Sequence, residues 1–278
     1  MNALVCRLGV LIALGFSGSA LAQSEVELDR APHAEEIGDR QVSFMARDLE
    51  TGTDYVLEAS AVDERRTPWS TFKIPNLIIA LESGVAESLE MDLVWDPTRR
   101  PASDFWPQDW RRDQTVRTAF ERSAAWAFRD LAVEIGTQTY RETLSDWAYG
   151  DADVADGSDL FWLDHTLEVS PAEQVSFLDR LLSRELDVSE TSLEALEEVS
   201  FAGDRADGAL HGKTGSGPVD LGNMQGRFEG WYVGYLVRQD RAPIVFALHA
   251  EALSYGGIRT FRREMAERLL SDVTAQID

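Results

Sequence analysis

The sequence predicts an α/β protein of the α+β kind: a central antiparallel sheet flanked by helices, with an all-helical lobe inserted into it. Three observations carry this. Apolar residues alternate, with the period of a strand, near both ends of the chain. Between about residues 86 and 199 they recur instead with the spacing of a helix. Glycine and aspartate punctuate the later strands, as tight turns require. Strands at both ends with helices between them describe one sheet built from both termini. The sheet lobe is therefore expected at about 39–85 and 200–278, and the helical lobe at about 86–199.

The chain has 278 residues, 44% hydrophobic and 27% charged, enough apolar surface to bury a sizeable core and too much for a disordered protein. It opens with "MNALVCRLGVLIALGFSGSALAQ": one positive charge at Arg7, an apolar run, then small residues up to Ala22. That pattern predicts a secretory signal over residues 1–22. Residues 8–22 number 15, short of the ~20 a spanning helix needs, and an uncleaved anchor is the alternative. The expectation is a secreted, periplasmic protein with no stable membrane anchor. The one cysteine, Cys6, lies inside this segment, so the mature chain would hold no disulfide, thiolate nucleophile or cysteine metal site. The net charge of −23 becomes −24 without Arg7 and argues against nucleic acid as a partner. Such acidity also suits a salty habitat, where screening weakens self-repulsion.

Residues 23–38 are acidic, lack a hydrophobic period, and read as a loose N-terminal tail. "QVSFMARDLETGTDYVLEA" gives two alternating runs around residues 50–53, a β-hairpin. In "TPWSTFKIPNLIIALESG" Ser70, or a residue just before it, can cap a helix carrying Phe72, Ile74, Leu77, Ile78 and Leu81 and ending at Gly84. Pro75 sits early in that helix, where a missing amide costs least. "WDPTRRPASDFWPQDWRRD", rich in Pro and Trp, reads as an ordered loop. "TVRTAFERSAAWAFRDLAVEIG" and "SPAEQVSFLDRLLSRE" have helical spacing, the second with Ser170 as N-cap and Pro171 at the first helical position. Strands follow in "ALHGKTGS", "RFEGWYVGYLVRQ" and "APIVFALHAEA", and a last helix covers about 257–273.

Helical spacing puts Ser70 and Lys73 on one face. A serine hydroxyl is a poor nucleophile until a base takes its proton, and an ordinary lysine is charged at neutral pH. Lys73 must therefore be neutral through burial, or be converted to another group, if the pair is to react. A helix N-terminus also favours the negative charge of an attacking alkoxide. The bland alternative is a capping serine and a solvated lysine. Further along, "HGKTGSG" places Lys213-Thr214-Gly215 on a strand, followed by small residues that let a ligand lie along the backbone. Between these stretches lie Ser123 in "RSAAW", on a helix, and Tyr149-Gly150-Asp151 in "WAYGD", at a helix end. The four histidines, His33, His165, His211 and His249, show no metal-ligand spacing, so no metal is expected. His211 reads as a packing or hydrogen-bonding residue.

In this order the stretches resemble the class D (OXA-type) serine β-lactamases, relatives of the penicillin-binding fold, from about Arg40 to Leu270. Ser70-Thr71-Phe72-Lys73 stands as the nucleophile motif, Ser123-Ala124-Ala125 as S-x-V, Tyr149-Gly150-Asp151 as Y-G-N and Lys213-Thr214-Gly215 as K-T-G. "FWLDHTLEVSPAEQVSFL" and "GWYVGYL" follow the family pattern over longer stretches. The resemblance implies hydrolysis of small-molecule β-lactams through a Ser70 acyl-enzyme. It implies that Lys73 is a carbamate (N6-carboxylysine) acting as general base. No cofactor is implied beyond the carbon dioxide or bicarbonate that forms it. Trp162 would donate its indole N–H to the carbamate, and Ser123 and Lys213 would relay a proton to the lactam nitrogen. The backbone amides of Ser70 and Ser216 would form the oxyanion hole. Thr214, Gly215, Tyr149 and Arg259 would bind substrate, Arg259 through its carboxylate, with Arg262 and Arg263 as competitors for that role.

Two positions depart from the family pattern. Ala125 stands where valine is expected beside the modified lysine, and Asp151 replaces an asparagine, exchanging an amide donor for a carboxylate. The alternative to a hydrolase is a penicillin-binding or β-lactam-sensing protein that is acylated and turns over poorly. The sequence contains no second long apolar run and no H-E-x-x-H, and Ala125 does not fit the S-x-N motif of penicillin-binding peptidases. Oligomeric state is not legible.

Overall fold

The computed structural model describes residues 24–277, so the expected export segment 1–22, with Cys6, lies outside the described residues. The acidic stretch expected as a loose tail is docked. Glu25–Glu27 forms strand β1 and Ala34–Ile37 a short helix, α1. Leu28 and Ile37 are buried on the sheet, and His33 Nε2 meets Asp272 Oδ2 at 2.6 Å. Two isolated apolar anchors hold such a segment on an existing core without creating any period to read.

The expected hairpin is formed by β2 (Gln41–Asp48) and β3 (Thr53–Leu57). A short ribbon of β4 (Asp92–Leu93) and β5 (Gln114–Thr115) stands apart from the main sheet. The C-terminal strands are β6 (Phe201–Arg205), β7 (Gly208–Pro218), β8 (Phe228–Val237) and β9 (Ile244–Ala252). They join the hairpin in a seven-stranded sheet of order β1-β3-β2-β9-β8-β7-β6. β2 lies antiparallel beside β9, so both ends of the chain do build one sheet. Only β1 pairs in parallel, on β3. β6 is an additional strand whose Gly203 and charged residues hide its alternation.

The helices are α2 (Lys73–Glu82), α3 (Val116–Glu121), α4 (Ala125–Ile135), α5 (Thr137–Asp146), α6 (Pro171–Leu182), α7 (Glu190–Ser200), α8 (Tyr255–Ile258) and α9 (Phe261–Ile277). Ser170 caps α6 through a reciprocal bond with Glu173, with Pro171 at its first turn, as its sequence requires. Two stretches expected as single helices are split, one between α3 and α4 at Ser123 and the last between α8 and α9.

The sheet is covered on both faces, which is why β8 and β9 are buried almost throughout. On β8, Trp231, Val233 and Tyr235 point into the core shared with α2 and the helical lobe, while Phe228, Tyr232 and Leu236 pack against the core formed with α9. The Pro- and Trp-rich loop is ordered, as expected, because its groups are anchored. Arg100 bonds Asp130 of α4 at 2.8 Å and Asp159 at 2.6 Å, and Trp110 Nε1 donates to the Arg122 carbonyl at 2.7 Å. No helix among the described residues is long and apolar enough to cross a membrane.

Asp48, at the end of β2, is wholly buried and paired with Arg238, just beyond β8. Removing the guanidinium leaves a buried carboxylate short of its cation. Arg238→Leu is expected to destabilise the fold by about 3 kcal/mol, read from the midpoint of urea unfolding.

Candidate active site

Ser70, expected as one candidate cap of the helix, has a side chain that caps nothing. Residues Trp69–Phe72 form a 3₁₀ turn that runs into α2 at Lys73, and the cap positions of the turn and helix are Pro68 and Phe72. The Ser70 hydroxyl, half-buried and reachable, instead accepts from Lys73 Nζ at 3.1 Å. Lys73 itself is fully buried, and the Phe128 ring of α4 lies 5.2 Å from its nitrogen. Burial, and after it the charge of Lys213, pushes Lys73 well below the usual lysine range. The shift is in the direction that a serine–lysine pair would need.

The second lysine, Lys213 on β7, donates to Ser123 Oγ at 3.0 Å and to the Thr214 carbonyl at 3.1 Å. Burial first, then Arg262, pushes it down to about 7. Lys73 and Lys213 are the only lysines in the chain; the remaining basic side chains, histidine aside, are arginines. Ser123, expected on a helix, sits in the break between α3 and α4 with φ at 60°. The left-handed backbone there lets its hydroxyl reach Lys213 across the cleft instead of bonding its own helix.

β6 pairs with β7 only as far as His211, so residues 212–218 present an edge without a strand partner. The Ser70 turn takes that place. A Cβ on Gly215 would lie 2.8 Å from the Pro68 carbonyl and 3.0 Å from the backbone nitrogens of Ser70 and Thr71. Glycine at this position allows the Ser70 amide to come beside the Gly215–Ser216 segment. Ser216 and Thr214 pair with Gly230 and Tyr232 on β8.

Trp162 is fully buried and stacks on Phe72 at 5.3 Å, with its Nε1 lacking any hydrogen-bond partner. Buried indole N–H groups are nearly always bonded, so this one marks a place for an acceptor. Arg129 and Arg100 hold Asp159, at 2.9 and 2.6 Å, and so fix the loop that carries Trp162.

Tyr149, expected to bind substrate, is placed differently. It is wholly buried, donating to Gln174 Oε1 at 3.2 Å, while Gln174 Nε2 donates to Thr71 Oγ1 at 3.1 Å, so it supports the Ser70 turn from behind. Arg259 closes α8 with its side chain exposed. Arg262, one of its competitors, is buried with Nε and Nη1 unpaired, packs within 3.1 Å of the Cβ position of Gly230 opposite Ser216, and is the arginine whose charge Lys213 feels. The Asp151 carboxylate accepts from the backbone amides of Asp153 and Glu168, both at 3.1 Å, which an asparagine oxygen would do equally. Ala125 starts α4, half-buried. His211 is a packing residue, stacked on Tyr235 at 4.8 Å.

Sequence reasoning missed Phe120 and Phe128, the rings over the two lysine nitrogens at 5.8 and 5.2 Å. Both lie in the stretch containing Ser123, but the helix break resets the phase that would have shown which way they point. Among the described residues no group of three or more His, Cys, Asp or Glu side chains could hold a metal.

Residues 33–268 match the penicillin binding protein transpeptidase domain family. The chain is 29% identical over 241 residues to the probable β-lactamase YbxI of Bacillus subtilis (strain 168), covering 85% of each chain. It is 30% identical over 187 residues to the regulatory protein BlaR1 of Bacillus licheniformis, a match spanning 67% of this chain and 29% of that one. The solved class D β-lactamase of Sebaldella termitidis ATCC 33386 shares its fold with a TM-score of 0.80 at 25% identity, over 91% of this chain and 99% of that one.

Because the groups facing Gly215 are backbone, they have little room to give. Gly215→Ala is expected to cost about 2 kcal/mol of stability, lowering the melting temperature by roughly 4–8 °C, and to slow the reaction of Ser70 with a fluorophosphonate probe.

Proposed function

Because the chain belongs to the penicillin-binding protein transpeptidase family, in its class D β-lactamase branch, we propose that it hydrolyses β-lactams through an acyl-enzyme on Ser70. The observation that carries this reading is the fully buried Lys73 amine, 3.1 Å from the Ser70 hydroxyl and held well below the usual lysine range. Ser70 Oγ attacks the lactam carbonyl while Lys73 takes its proton. Negative charge that develops on the carbonyl oxygen is met by the backbone amides of Ser70 and Ser216. Ser123, bonded to Lys213, passes a proton to the lactam nitrogen as the ring opens. The substrate carboxylate is met by Thr214 and by positive charge from Lys213 and the arginines beyond the strand, Arg259 and Arg262.

Water must then be activated to release the acyl group. A carbamate on Lys73 supplies a base for that step near neutral pH. The residues present fit such a group: it would offer an acceptor to the buried, unpaired Trp162 Nε1, and aromatic cover from Phe72 and Phe128 would slow its return to ammonium and carbon dioxide. Residues 1–22 support export, which would bring the enzyme to its substrate outside the cytoplasm.

The likeness to BlaR1 favours one second reading, a receptor that keeps its acyl group. The two part company at deacylation. Purified protein mixed with a chromogenic cephalosporin is expected to turn over continuously, faster with added bicarbonate, with no lasting adduct in the intact mass. A persistent adduct on Ser70 would favour the receptor. Lys73→Ala is expected to retain at most slow acylation and to lose deacylation; full turnover in it would sink the assigned base.

The pH profile follows from the two lysines. Protonation of Lys73 at acid pH removes its base, so kcat/KM rises with pH on that limb, and added bicarbonate moves that limb alone. Lys213, pushed down to about 7, carries its charge below that pH and loses it above. KM for an anionic substrate is therefore expected to rise as pH passes upward through about 7, read from initial rates across that range.

A further inference from the structure

Behind the nucleophile lies a buried polar network that the proposed chemistry does not use. Trp69, immediately before Ser70, has φ at +52°, left-handed backbone that a bulky residue adopts only under constraint. Its indole is buried against β7 at Gly217, where a Cβ would lie 2.2 Å from the ring. Its Nε1 donates to Glu229 Oε1 at 2.7 Å. Glu229, on β8, is only 2% exposed, and its other oxygen meets His249 Nε2 on β9 at 3.2 Å.

Strand pairing explains the arrangement. Glu229 stands opposite Gly217, so the missing side chain on β7 leaves room for the ring beside the carboxylate. Two residues along, on the same face, Trp231 stands opposite His249. The same face grips the chain one step earlier. Trp231 Nε1 donates to the Thr67 carbonyl at 2.9 Å, and His165 Nδ1 lies 2.8 Å from the Thr67 hydroxyl, with its ring edge-on to Trp69 at 5.8 Å. Residues 67–69 are thus held at a carbonyl, a hydroxyl and an indole before the chain reaches Ser70. A carboxylate so deeply buried is costly to keep, and apolar packing would fill the space more cheaply. What this one does is fix the ring of a residue whose backbone is strained.

We propose that Glu229 is a positioning residue for Ser70: anchored by His249, it fixes the Trp69 indole, preserves the left-handed turn, and so aims the Ser70 amide and hydroxyl into the site. The inference rests on Ser70 being the acylated nucleophile. Relaxation of Trp69 to right-handed backbone would rotate the peptide that carries the Ser70 amide, the donor assigned to the developing oxyanion. That amide faces the Gly215 backbone closely, so the turn has no second way to seat itself. Loss of the grip should therefore appear in the acylation rate more than in ground-state binding.

The test is stopped-flow acylation of the full chain by a fluorescent penicillin. Glu229→Gln keeps an oxygen for the indole and is expected to stay within about threefold of the parent rate. Glu229→Leu and Trp69→Phe each break the contact and are expected to slow acylation roughly 10- to 100-fold, with the dissociation constant for non-covalent binding changed less than about threefold. The double variant should be no slower than the slower single, as for residues that act as one unit. Trp69→Phe keeps a ring on Gly217, so the test survives if Glu229→Leu fails to fold. An unchanged acylation rate in Trp69→Phe overturns the proposal, as does a loss in Glu229→Gln equal to that in Glu229→Leu. A parent protein that is never acylated at Ser70 overturns the functional reading and this inference together; a normally acylated parent with indifferent variants overturns the positioning role alone.

Discussion

An amine taken wholly out of water, with a serine hydroxyl as its hydrogen-bond partner and no carboxylate bonded to it, is the constraint on which the rest of the structure depends. An ammonium in such a place is strongly disfavoured, so burial pushes Lys73 well below the usual lysine range. That burial requires cover from several directions. The helical lobe supplies it through Phe128 on α4 and through the Trp162 loop, itself tied down by Arg100, Arg129 and Asp159. Lys213, arriving from the sheet, adds the second charge that makes protonation of Lys73 harder still. The inserted helices are thus the wall that keeps the Lys73 amine dry.

The sheet contributes by ending a pairing early. β6 leaves β7 at His211, and the free edge of residues 212–218 is where the Ser70 turn docks, Gly215 allowing the two backbones to approach. On the opposite face α9 presses Arg262 against Gly230, across the ladder from Ser216. The same strand therefore carries a lysine toward the helical lobe and small residues toward the arginines. This division follows from the two-residue period of a strand.

Much of this was legible because chemistry of this kind uses short, fixed spacings. Ser70 and Lys73 stand three apart, and Lys213 to Ser216 alternate along a strand whose pattern is plain. The hairpin, the three long C-terminal strands and the α6 cap were legible for the same reason, each being a local rule satisfied locally. What escaped was set at a distance. The break at Ser123 depends on a backbone angle that no residue type there announces. Tyr149 is a framework residue because Gln174 and Thr71 meet it from other elements. The N-terminal segment is ordered by two apolar side chains that find a core made elsewhere. That Arg262 is buried against Gly230 while Arg259 is exposed depends on how α8 and α9 pack on the sheet.

The scarcity of lysine gives the buried pair one more meaning. Guanidinium groups do not add carbon dioxide or open activated esters under mild conditions, whereas neutral primary amines do. A chain whose only two side-chain amines are buried close enough to feel each other's charge has confined its side-chain amine reactivity to that cleft. A carbon-13 label or an amine-directed reagent applied to this protein meets a silent arginine surface, and any side-chain signal it returns is a report from the cleft itself.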